Sequence, residues 1–372
     1  MLVEALQPFR VVMHVDFDYF FAQVEERENP EIKGKPVVIC VYSGRGEDRG
    51  AVSTANYMAR KYGVKSGMPI AFARKRLKNV EAEFLPVNHR LYDGVSEKIM
   101  ALIHSHADSF EQAGIDEAFL EVTQRVEGSF EKARCLAIEI KRQIFAEEKI
   151  TCSIGVGPNK LVAKIAAGKQ KPDGLTIVKP EEVQPFLLGL PVRELVGVGR
   201  KTEKTLRNLG VKTVEELAAM SLDRLIDTFG RSFGSYLHKA AHGVDESPVQ
   251  QRGQPESVSR MVTLKEDTRD IATMMREIAS LARAVHSTVV AQRFSFRSVS
   301  VIAVMEDLTM RLRSKTFEKP IKNLKIVEHT AEELLKHLLR EELERSVRRV
   351  GVKIHNFIEE KGQKELTDFV ET

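Results

Sequence analysis

The sequence has few of the features that mark secreted, membrane or disulfide-stabilised proteins. Its three cysteines, Cys40, Cys135 and Cys152, are odd in number and show no C-x-x-C spacing. They argue against a disulfide framework or a zinc site and fit a reducing cytosol. No run of apolar residues approaches the roughly 18 that a membrane span needs. The N-terminal segment lacks a basic stretch followed by a long apolar one, so we expect no signal peptide and a cytoplasmic protein.

An excess of charge of one sign is also missing. The 57 basic and 53 acidic residues leave a formal charge of +4. This excess is compatible with nucleic-acid binding but does not indicate it alone, because the position of charges matters more than their total. The 372 residues exceed one compact core and favour two to four domains. Apolar content of 42% with 30% charged residues is typical of a globular protein, and no internal repeats occur.

Apolar periodicity in the first half predicts strands that alternate with helices. The predicted strands are residues 10–17, 36–42 and 151–157, with a hairpin of two strands over 110–122 that turns near Gly114. The predicted helices are residues 54–63, 91–107 and 133–145, and residues 43–50 are predicted as a polar loop. The combination predicts an α+β sheet backed by helices.

The pattern changes after about residue 178 to short helices without strand runs. Residues 191–213 are typical of a helix, a glycine-rich turn and a second helix, and residues 244–257 have the composition of a linker. Beyond the linker the predicted elements are a strand (257–264), a helix (268–291), two strands (295–304 and 308–316), a helix (328–343) and a strand (346–354). The order β-α-β-β-α-β predicts a compact, separate, ferredoxin-like unit.

Three carboxylates stand where a fold can gather them. Asp16 ends the first strand, and Asp116 and Glu117 follow the hairpin turn. Their neighbours are apolar, where an unpaired charge is costly, and no Lys or Arg is adjacent in the sequence. Phosphoryl transfer by two metals needs carboxylates that hold hard cations roughly 3.5–4 Å apart. The alternative is a solvated strand cap and a surface acid pair, and spacing alone leaves it open.

Four ordered segments of the first half resemble the Y-family DNA polymerases, most closely the archaeal DinB-type enzymes. They are HVDFDYFFAQVEERENPEIKGKPVVIC, GAVSTANYMARKYGVKSGMPI, the SIDEA-like GIDEAFLEV, and SIGVGPNKLVAKIAAGKQKPDG. The resemblance continues more weakly through the second half, so it covers nearly the whole chain. Four motifs in one order are far more specific than any one of them.

The resemblance implies a multidomain α+β fold, a right-hand polymerase with palm, small fingers and helical thumb, plus the ferredoxin-like C-terminal little finger. The implied domains are a palm (1–29 and 89–177), fingers (30–88), a thumb with a helix-hairpin-helix (178–243), a linker (244–256), a little finger (257–355) and a tail (356–372). The implied activity is template-directed addition of dNTPs to a primer 3′-hydroxyl, with low fidelity, bypass of damaged template and no proofreading exonuclease.

The resemblance also implies roles for single residues. Asp16, Asp116 and Glu117, with the backbone carbonyl of Phe17, match the ligands of two Mg²⁺ ions, for which Mn²⁺ can substitute. Asp18 is expected to point to the other side of the chain. Phe21 matches the steric gate that excludes a ribose 2′-hydroxyl. The other matches to nucleotide-binding positions are Phe20, Thr54, Tyr57, Arg60 and Lys171, and those over the replicating base pair are Val41, Ala51 and Gly67.

Basic residues outside this site indicate contacts with primer–template DNA. Gly197, Gly199 and Lys201 match a helix-hairpin-helix, which presents backbone N–H groups to a phosphate. Arg311, Arg313 and Lys315 alternate along one predicted strand and therefore share a face, which Arg349 and Lys353 are expected to extend. The alternatives are an ordinary αα-turn and edge-strand charges that only block aggregation. The linker contributes only Arg252.

The end of the chain resembles a sliding-clamp binding peptide, with Gln363, Leu366 and Phe369 as anchors and Val370 where a second aromatic is usual. The expected partners are primer–template DNA, dNTP and a sliding clamp, with no membrane, for a monomeric protein. Two other functions stay open: a non-catalytic DNA- and clamp-binding scaffold with a degenerate palm, and a nucleotidyl cyclase built on a two-metal palm.

Overall fold

A computed structural model describes residues 10–251, 253–342 and 344–359. Chain contacts divide these residues into two compact units. The first unit comprises residues 10–41 and 51–251, and the second comprises residues 42–50 and 253–359. The thiols of Cys40 and Cys152 are buried, and that of Cys135 is exposed. Within the described ranges no helix combines the length and the apolar character that crossing a membrane requires.

The strands before residue 180 form one sheet of five strands and one of three. They are β1 (Val12–Phe17), β2 (Val37–Tyr42), β3 (Gly50–Ala55), β4 (Glu83–Pro86), β5 (Ser109–Gln112), β6 (Glu117–Glu121), β7 (Cys152–Gly157) and β8 (Leu175–Ile177). The large sheet has the order β5-β6-β1-β7-β8, and the small one has the order β3-β2-β4. The predicted hairpin is confirmed, since β5 and β6 pair antiparallel on either side of the turn.

The helices up to residue 167 accompany these sheets, and those from residue 183 onwards follow them in the chain. They are α1 (Phe20–Glu28), α2 (Tyr57–Lys61), α3 (Ile70–Arg76), α4 (His89–His104), α5 (Phe130–Glu148), α6 (Lys160–Ala167), α7 (Val183–Leu188), α8 (Arg200–Asn208), α9 (Val214–Ala218), α10 (Leu222–Phe229) and α11 (Arg231–Ala241). The predicted helix over 54–63 is wrong at its start, because residues 50–55 form β3. Asn56 then caps α2 by accepting a hydrogen bond from the backbone N–H of Ala59 at 2.9 Å.

The two faces of the central strand β1 differ in chemistry. Met13 and Val15 point into the main core with α4 and α5, where Ile99 and Ile140 are fully buried. Each such side chain contributes about 1.5–3 kcal/mol when buried. The opposite face carries the polar residues of β1, because side chains alternate along a strand. The sheet therefore has one apolar face that packs into the core and one face that carries polar side chains.

Helix α6 lies directly against the second face of the sheet. A Cβ atom on Gly155 of β7 would fall 2.1 Å from the backbone oxygen of Ala163. Only glycine permits so close an approach of helix to strand. The side chain of Asn159 begins the helix by accepting a hydrogen bond from Val162 N at 3.0 Å. Residues carried by α6 are thus held beside the polar face of β1.

The region from 178 to 243 contains short helices, as predicted, and these helices share a core with α6. The predicted helix-turn-helix differs at its beginning, where residues Val192–Glu194 form a single 3₁₀ turn. The turn that follows needs glycine, since Gly197 has a φ of +83°. Helix α8 then begins after Gly199.

Half of the predicted linker is packed on the first unit. Asn159 Nδ2 donates to Gly243 O at 2.8 Å, and Leu161 N donates to Asp245 at 3.1 Å. Val249 is only 4% exposed and contacts a small cluster with Val12. Arg252 lies outside the described residues. Residues 243–249 are therefore a structured part of the first unit.

The second unit has the predicted β-α-β-β-α-β order, which is confirmed. Its elements are β9 (Ser257–Thr268), α12 (Ile271–Ala291), β10 (Phe294–Met305), β11 (Met310–Ile321), α13 (Leu324–Glu341) and β12 (Val347–Glu359). The sheet is antiparallel with the order β11-β10-β12-β9. Asp270 starts α12 by accepting from Ala272 N and Thr273 N at 3.1 and 3.0 Å.

The expectation that Arg349 and Lys353 extend the face of Arg313 and its neighbours is wrong. Arg313 pairs with Val301, which pairs in turn with the fully buried Val352. Arg311, Arg313 and Lys315 therefore lie on the side of the core, where acids of α13 and of its C-cap bind them: Glu342, Glu341 and Glu333. Arg349 and Lys353 pair with Val304 and Ser300 and lie on the opposite face. The strand register places the two basic groups on different sides.

Candidate active site

Two of the predicted carboxylates face each other across neighbouring strands. Asp16 of β1 pairs directly with Glu117 of β6. Ligand atoms of Asp16, Glu117 and the buried His14 lie within 4.8 Å of one another. Residues opposite each other in an antiparallel pair point to the same face. The sheet register alone thus brings together an acid from the start of the chain and one from its middle.

A backbone hydrogen bond holds Asp116 close to the end of β1, where Asp16 lies. The carbonyl of Asp116 accepts a hydrogen bond from Phe17 N at 2.8 Å, so the turn after β5 is tied to the end of β1. Burial, with the negative charges of Asp16 and Glu117, raises the pKa of Asp116 above its ordinary value. Three acids in one place repel each other, and a bound cation would relieve that repulsion.

Two lysines far away in the sequence bind these acids. Lys164 of α6 forms an ion pair with Glu117, and Lys171 forms one with Asp16. The hydrogen bond from His14, opposed by partial burial and helped by Lys164, lowers the pKa of Glu117 to about 2. Burial lowers the pKa of His14 itself. No Lys or Arg is adjacent to these acids in the sequence, but the fold brings two lysines into contact with them.

Asp18 points away from the site, as expected. It is fully buried and accepts hydrogen bonds from Ser153 Oγ at 2.7 Å, Thr151 Oγ1 at 3.1 Å and Asp173 N at 2.7 Å. All of its contacts are structural. Asp18 therefore ties β1 to β7 and to the loop before β8.

A cavity of about 260 Å³ opens beside the acids. Nine residues that the sequence predicts for metal or nucleotide binding line it: Asp16, Phe17, Phe20, Phe21, Thr54, Tyr57, Arg60, Asp116 and Lys171. Three lining residues were not predicted: Tyr19, Ser53 and Ser66. The cavity lining combines the carboxylates of Asp16 and Asp116 with Arg60 and Lys171, which is the charge pattern that a metal-bound polyphosphate requires.

Phe21 is held against the cavity by a second ring. It stacks on Tyr92 with ring centroids 4.3 Å apart and planes 15° apart. The Tyr92 hydroxyl donates a hydrogen bond to Glu25 at 2.6 Å. Glu25 lies one helical turn after Phe21 on α1. Sequence reasoning missed Tyr92, because no local pattern connects α4 to α1.

Tyr57 and Arg60 share a face of α2, as their spacing predicts. The Arg60 guanidinium lies 4.8 Å from the centre of the Tyr57 ring. Arg60 Nε donates to Ala55 O at 2.8 Å, which leaves its other nitrogens for a ligand. Tyr57 also packs edge-on against Tyr19, with centroids 5.4 Å apart. The pair presents a cation and a hydroxyl to the cavity.

Val41, Ala51 and Gly67 occupy neighbouring backbone segments. Val41 is 48% exposed and lies near the end of β2, which neighbours β3 in the small sheet. Ala51 bridges to Pro69, and Gly67 N donates to Val52 O at 2.8 Å. Gly67 has a φ of +79° and no atom within 4 Å of a hypothetical Cβ. The side chains at these three positions are small, and the space beside Gly67 is open.

The donor set fits divalent cations of the hard class. Carboxylate oxygens of Asp16, Asp116 and Glu117 are the ligands that Mg²⁺ and Mn²⁺ accept. Ammonium groups of Lys164 and Lys171 already lie on two of these carboxylates, which shows that the acids attract cations.

Three family models match the sequence. The impB/mucB/samB family covers residues 15–168, its C-terminal domain covers residues 255–367, and the model described as DNA polymerase-iota, thumb domain, covers residues 193–245. The chain is 43% identical over 361 residues to DNA polymerase IV of Nitrosopumilus maritimus, covering 97% of this chain and 99% of that protein. It is 42% identical over 359 residues to DNA polymerase IV of Saccharolobus solfataricus, covering 96% and 99%.

This chain is a Y-family DNA polymerase of the DinB type. Solved structures agree. A Y-family DNA polymerase chimera of Dbh and Dpo4 matches with a TM-score of 0.89 and 41% identity over 94% of this chain and 100% of that one. A structure described as the insertion ternary complex of Dbh DNA polymerase matches with a TM-score of 0.68 at 41% identity, with the same coverage. Membership makes the chain a DNA-directed DNA polymerase of low fidelity.

The residues of the polymerase that were predicted to bind DNA are distributed over both units. Gly197 and Gly199 precede α8, and Lys201 lies in its first turn. Arg349 is exposed on the face of the second sheet away from its core. Arg311, Arg313 and Lys315 lie on the edge strand β11 with their acidic partners. The predicted clamp anchors Gln363, Leu366 and Phe369 lie outside the described residues.

Proposed function

We propose that Asp16, Asp116 and Glu117, with the carbonyl of Phe17, hold two Mg²⁺ ions while the polymerase adds dNTPs to a primer 3′-hydroxyl. The observation that supports this most strongly is the direct pairing of Glu117 with Asp16, which lines the cavity together with Asp116. When bound, the cations lower the pKa of the attacking hydroxyl and neutralise the triphosphate. Mn²⁺ suits the same oxygen ligands and is expected to substitute.

The cavity supplies the contacts for the incoming nucleotide. Arg60 binds triphosphate oxygens through its free guanidinium nitrogens, and Lys171 binds them as a point charge. Tyr57 and Thr54 offer hydroxyl groups to the same end of the cavity, and Phe20 packs beneath. Because the mechanism is positioning plus charge stabilisation, these contacts orient the α-phosphorus towards the primer.

The Phe21 ring excludes a ribose 2′-hydroxyl by occupying the space next to the sugar. Tyr92 prevents it from moving away, because the two rings stack. Val41, Ala51 and Gly67 form the surface over the replicating pair. Their small size permits misshapen pairs, which allows damaged templates to be copied with reduced accuracy.

We further propose the domain roles that the resemblance implies: a palm (1–29 and 89–177), fingers (30–88), a thumb (178–243), a linker (244–256), a little finger (257–355) and a tail (356–372). Backbone N–H groups at Gly197 and Gly199, with Lys201, contact a DNA phosphate. In the little finger, Arg349 and Lys353 contact the DNA backbone. Arg311, Arg313 and Lys315 contribute less, because acids of α13 compete for them.

The clamp-binding role of the tail, the monomeric state and the cytoplasmic location stay predictions from the sequence. Deletion of residues 362–372 should abolish stimulation of synthesis by a sliding clamp and leave clamp-independent synthesis unchanged. Stimulation that survives the deletion would remove the clamp assignment.

The function is tested with purified protein, a primer–template carrying an abasic site, dNTPs and Mg²⁺. We expect extension to the site and past it. A scaffold with a degenerate palm gives no extension and retains DNA binding. A nucleotidyl cyclase gives a cyclic nucleotide without any primer. Failure to extend an undamaged template as well would overturn the proposal.

A further inference from the structure

The imidazole of His14 is a buried polar group at the active site to which the proposed chemistry gives no role. It is 1% exposed and lies on the polar face of β1, two residues before Asp16. Its Nε2 atom is 3.1 Å from Glu117 Oε2. The ring packs against Phe119, with centroids 4.6 Å apart. A side chain that only filled this space could be apolar.

The contact with Glu117 determines which ring nitrogen carries the hydrogen. An ionised carboxylate only accepts hydrogen bonds, so the nitrogen that faces it, Nε2, must be the donor. The other nitrogen, Nδ1, is buried and has no hydrogen-bond partner within the described part of the chain. Such an orphan costs about 1–3 kcal/mol, so retaining a histidine here calls for an explanation.

A second donor reaches the same oxygen from another element. Lys164 of α6 also contacts Glu117 Oε2, and its ammonium lies 3.5 Å from His14 Nε2. No hydrogen bond reaches Oε1 of Glu117 among the residues that the structure describes. Oε2 of the carboxylate is therefore held by two donors, and Oε1 accepts no hydrogen bond from the described residues. Of the two donors, the imidazole is rigid and packed, whereas lysine ends a flexible four-carbon chain.

We propose that His14 is a positioning residue: its Nε2–H fixes Glu117 through Oε2, so that Oε1 is presented to a divalent cation shared with Asp16. This inference rests on the proposed metal-binding role of Asp16 and Glu117. Partners that orient a metal ligand without touching the metal are part of the design of a metal site, and losing one costs about 10–100-fold in affinity or activity.

Two substitutions separate the hydrogen bond from the packing. His14→Phe keeps a ring against Phe119 and removes the donor, whereas His14→Gln keeps an N–H donor at a similar reach. The measurement is Mn²⁺ binding, followed by electron paramagnetic resonance of the free ion. The full chain is used with a dideoxy-terminated primer–template and dNTP. We expect His14→Phe to weaken Mn²⁺ binding about 10–100-fold and His14→Gln to stay within about threefold of the native chain.

The affinity for the primer–template, measured by fluorescence anisotropy, should not change in either variant. Equal losses of Mn²⁺ binding in both variants, or native binding in His14→Phe, would overturn the inference. Asp16→Asn and Glu117→Gln are the reference variants. Native Mn²⁺ binding in these two would refute the proposed metal site, whereas losses in them beside native binding in His14→Phe would refute only the role of His14.

The native chain provides a test that does not depend on a variant folding. Long-range ¹H–¹⁵N correlation of the His14 ring reports which nitrogen is protonated. We expect Nε2 to carry the hydrogen and Nδ1 to carry the lone pair. A ring protonated on Nδ1 alone would place a lone pair against the carboxylate and would overturn the proposal.

Discussion

At the residue scale, the same chemical group serves different purposes according to its partners. Asp16 and Asp18 are two residues apart on one chain segment. Asp16 lies beside a cavity with a lysine as its counter-ion, and Asp18 is buried with three hydrogen-bond donors. A buried carboxylate that is satisfied in this way stabilises the fold, and a partly exposed one is available to a ligand.

Substitution of these two aspartates should therefore affect different properties. Asp18→Ala leaves the donors of Thr151, Ser153 and Asp173 unpaired, and we expect it to reduce the free energy of unfolding by about 3 kcal/mol. Asp16→Ala should change stability by less than about 1 kcal/mol, because its ion pair with Lys171 is partly exposed to solvent, but should abolish synthesis. Urea denaturation of both variants checks this. An Asp18→Ala protein as stable as the native chain would contradict the structural role.

The proposed role of Phe21 as a steric gate gives a second prediction at this scale. Phe21→Ala opens the space that its ring occupies beside the sugar, and the dNTP-to-rNTP selectivity should fall roughly 10–200-fold, the range that one buried group in a pocket supplies. Tyr92→Leu should give a smaller loss in the same direction, because the gate ring loses its support. Single-nucleotide insertion kinetics measure both ratios.

The control is Phe72→Ala, whose ring is 60% exposed on α3 and lies apart from the cavity lining. It should leave the selectivity unchanged. Native selectivity in Phe21→Ala would remove the gate assignment.

Motif matching selected nine residues that line one cavity, Asp16 and Asp116 among them, and it selected Glu117, which pairs with Asp16. It could not find His14, Lys164 or Tyr92 as partners, because each contact joins elements far apart in the chain. Lys164 binds an acid 47 residues earlier, and its local sequence is that of an ordinary apolar helix. Contacts of this kind depend on how α6 lies on the sheet, which local periodicity does not encode.

At the scale of elements, the position of α6 depends on one glycine of β7. Gly155→Ala would place a methyl group 2.1 Å from Ala163 O, so the helix must move. We expect a loss of about 1–3 kcal/mol from overpacking, together with reduced activity, since α6 carries Lys164. The matched control is Gly94→Ala on α4, where nothing lies within 4 Å of the new methyl group.

The control should stabilise the protein by about 0.4–1 kcal/mol, because alanine lowers the conformational freedom of the unfolded chain. Thermal unfolding followed by circular dichroism compares the two variants. Equal effects of the two substitutions would contradict the close packing of α6 on β7.

The strand register of the second unit was the element-scale feature that the sequence did not predict. Period-two spacing correctly placed Arg311, Arg313 and Lys315 on one face. Relating that face to β12 needs the register of the pairing through β10, which is regular from Ser298 to Val304. The sequence carries no signal for this register, and a register that differs by one residue reverses the face.

This register gives a prediction about DNA binding. Arg349→Gln removes an exposed charge from the open face, so it should weaken binding at every sequence and reduce the salt slope of log K by about one. Arg313→Gln should have a smaller effect, since Glu341 already pairs with it. Fluorescence anisotropy over a salt titration measures both. A larger effect of Arg313→Gln would contradict the assignment of the faces.

At the scale of the whole molecule, most of the organisation was predictable. The element order of the first half, the short helices from 178 onwards and the β-α-β-β-α-β unit follow from periodicity and from breaks in composition. Strand β3 was missed because GAVSTA has little apolar character and gains its place by pairing. The linker prediction was too long on one side, since composition does not reveal that Val249 is buried.

The central claim is that the first strand and the mid-chain turn together form one metal-dependent catalytic site. Glu117→Gln is nearly isosteric and removes only the charge. Single-turnover primer extension with Mg²⁺ should fall at least about 1,000-fold, because charge stabilisation is the main contribution to this chemistry, while primer–template affinity stays native. Extension within tenfold of the native rate would contradict the account.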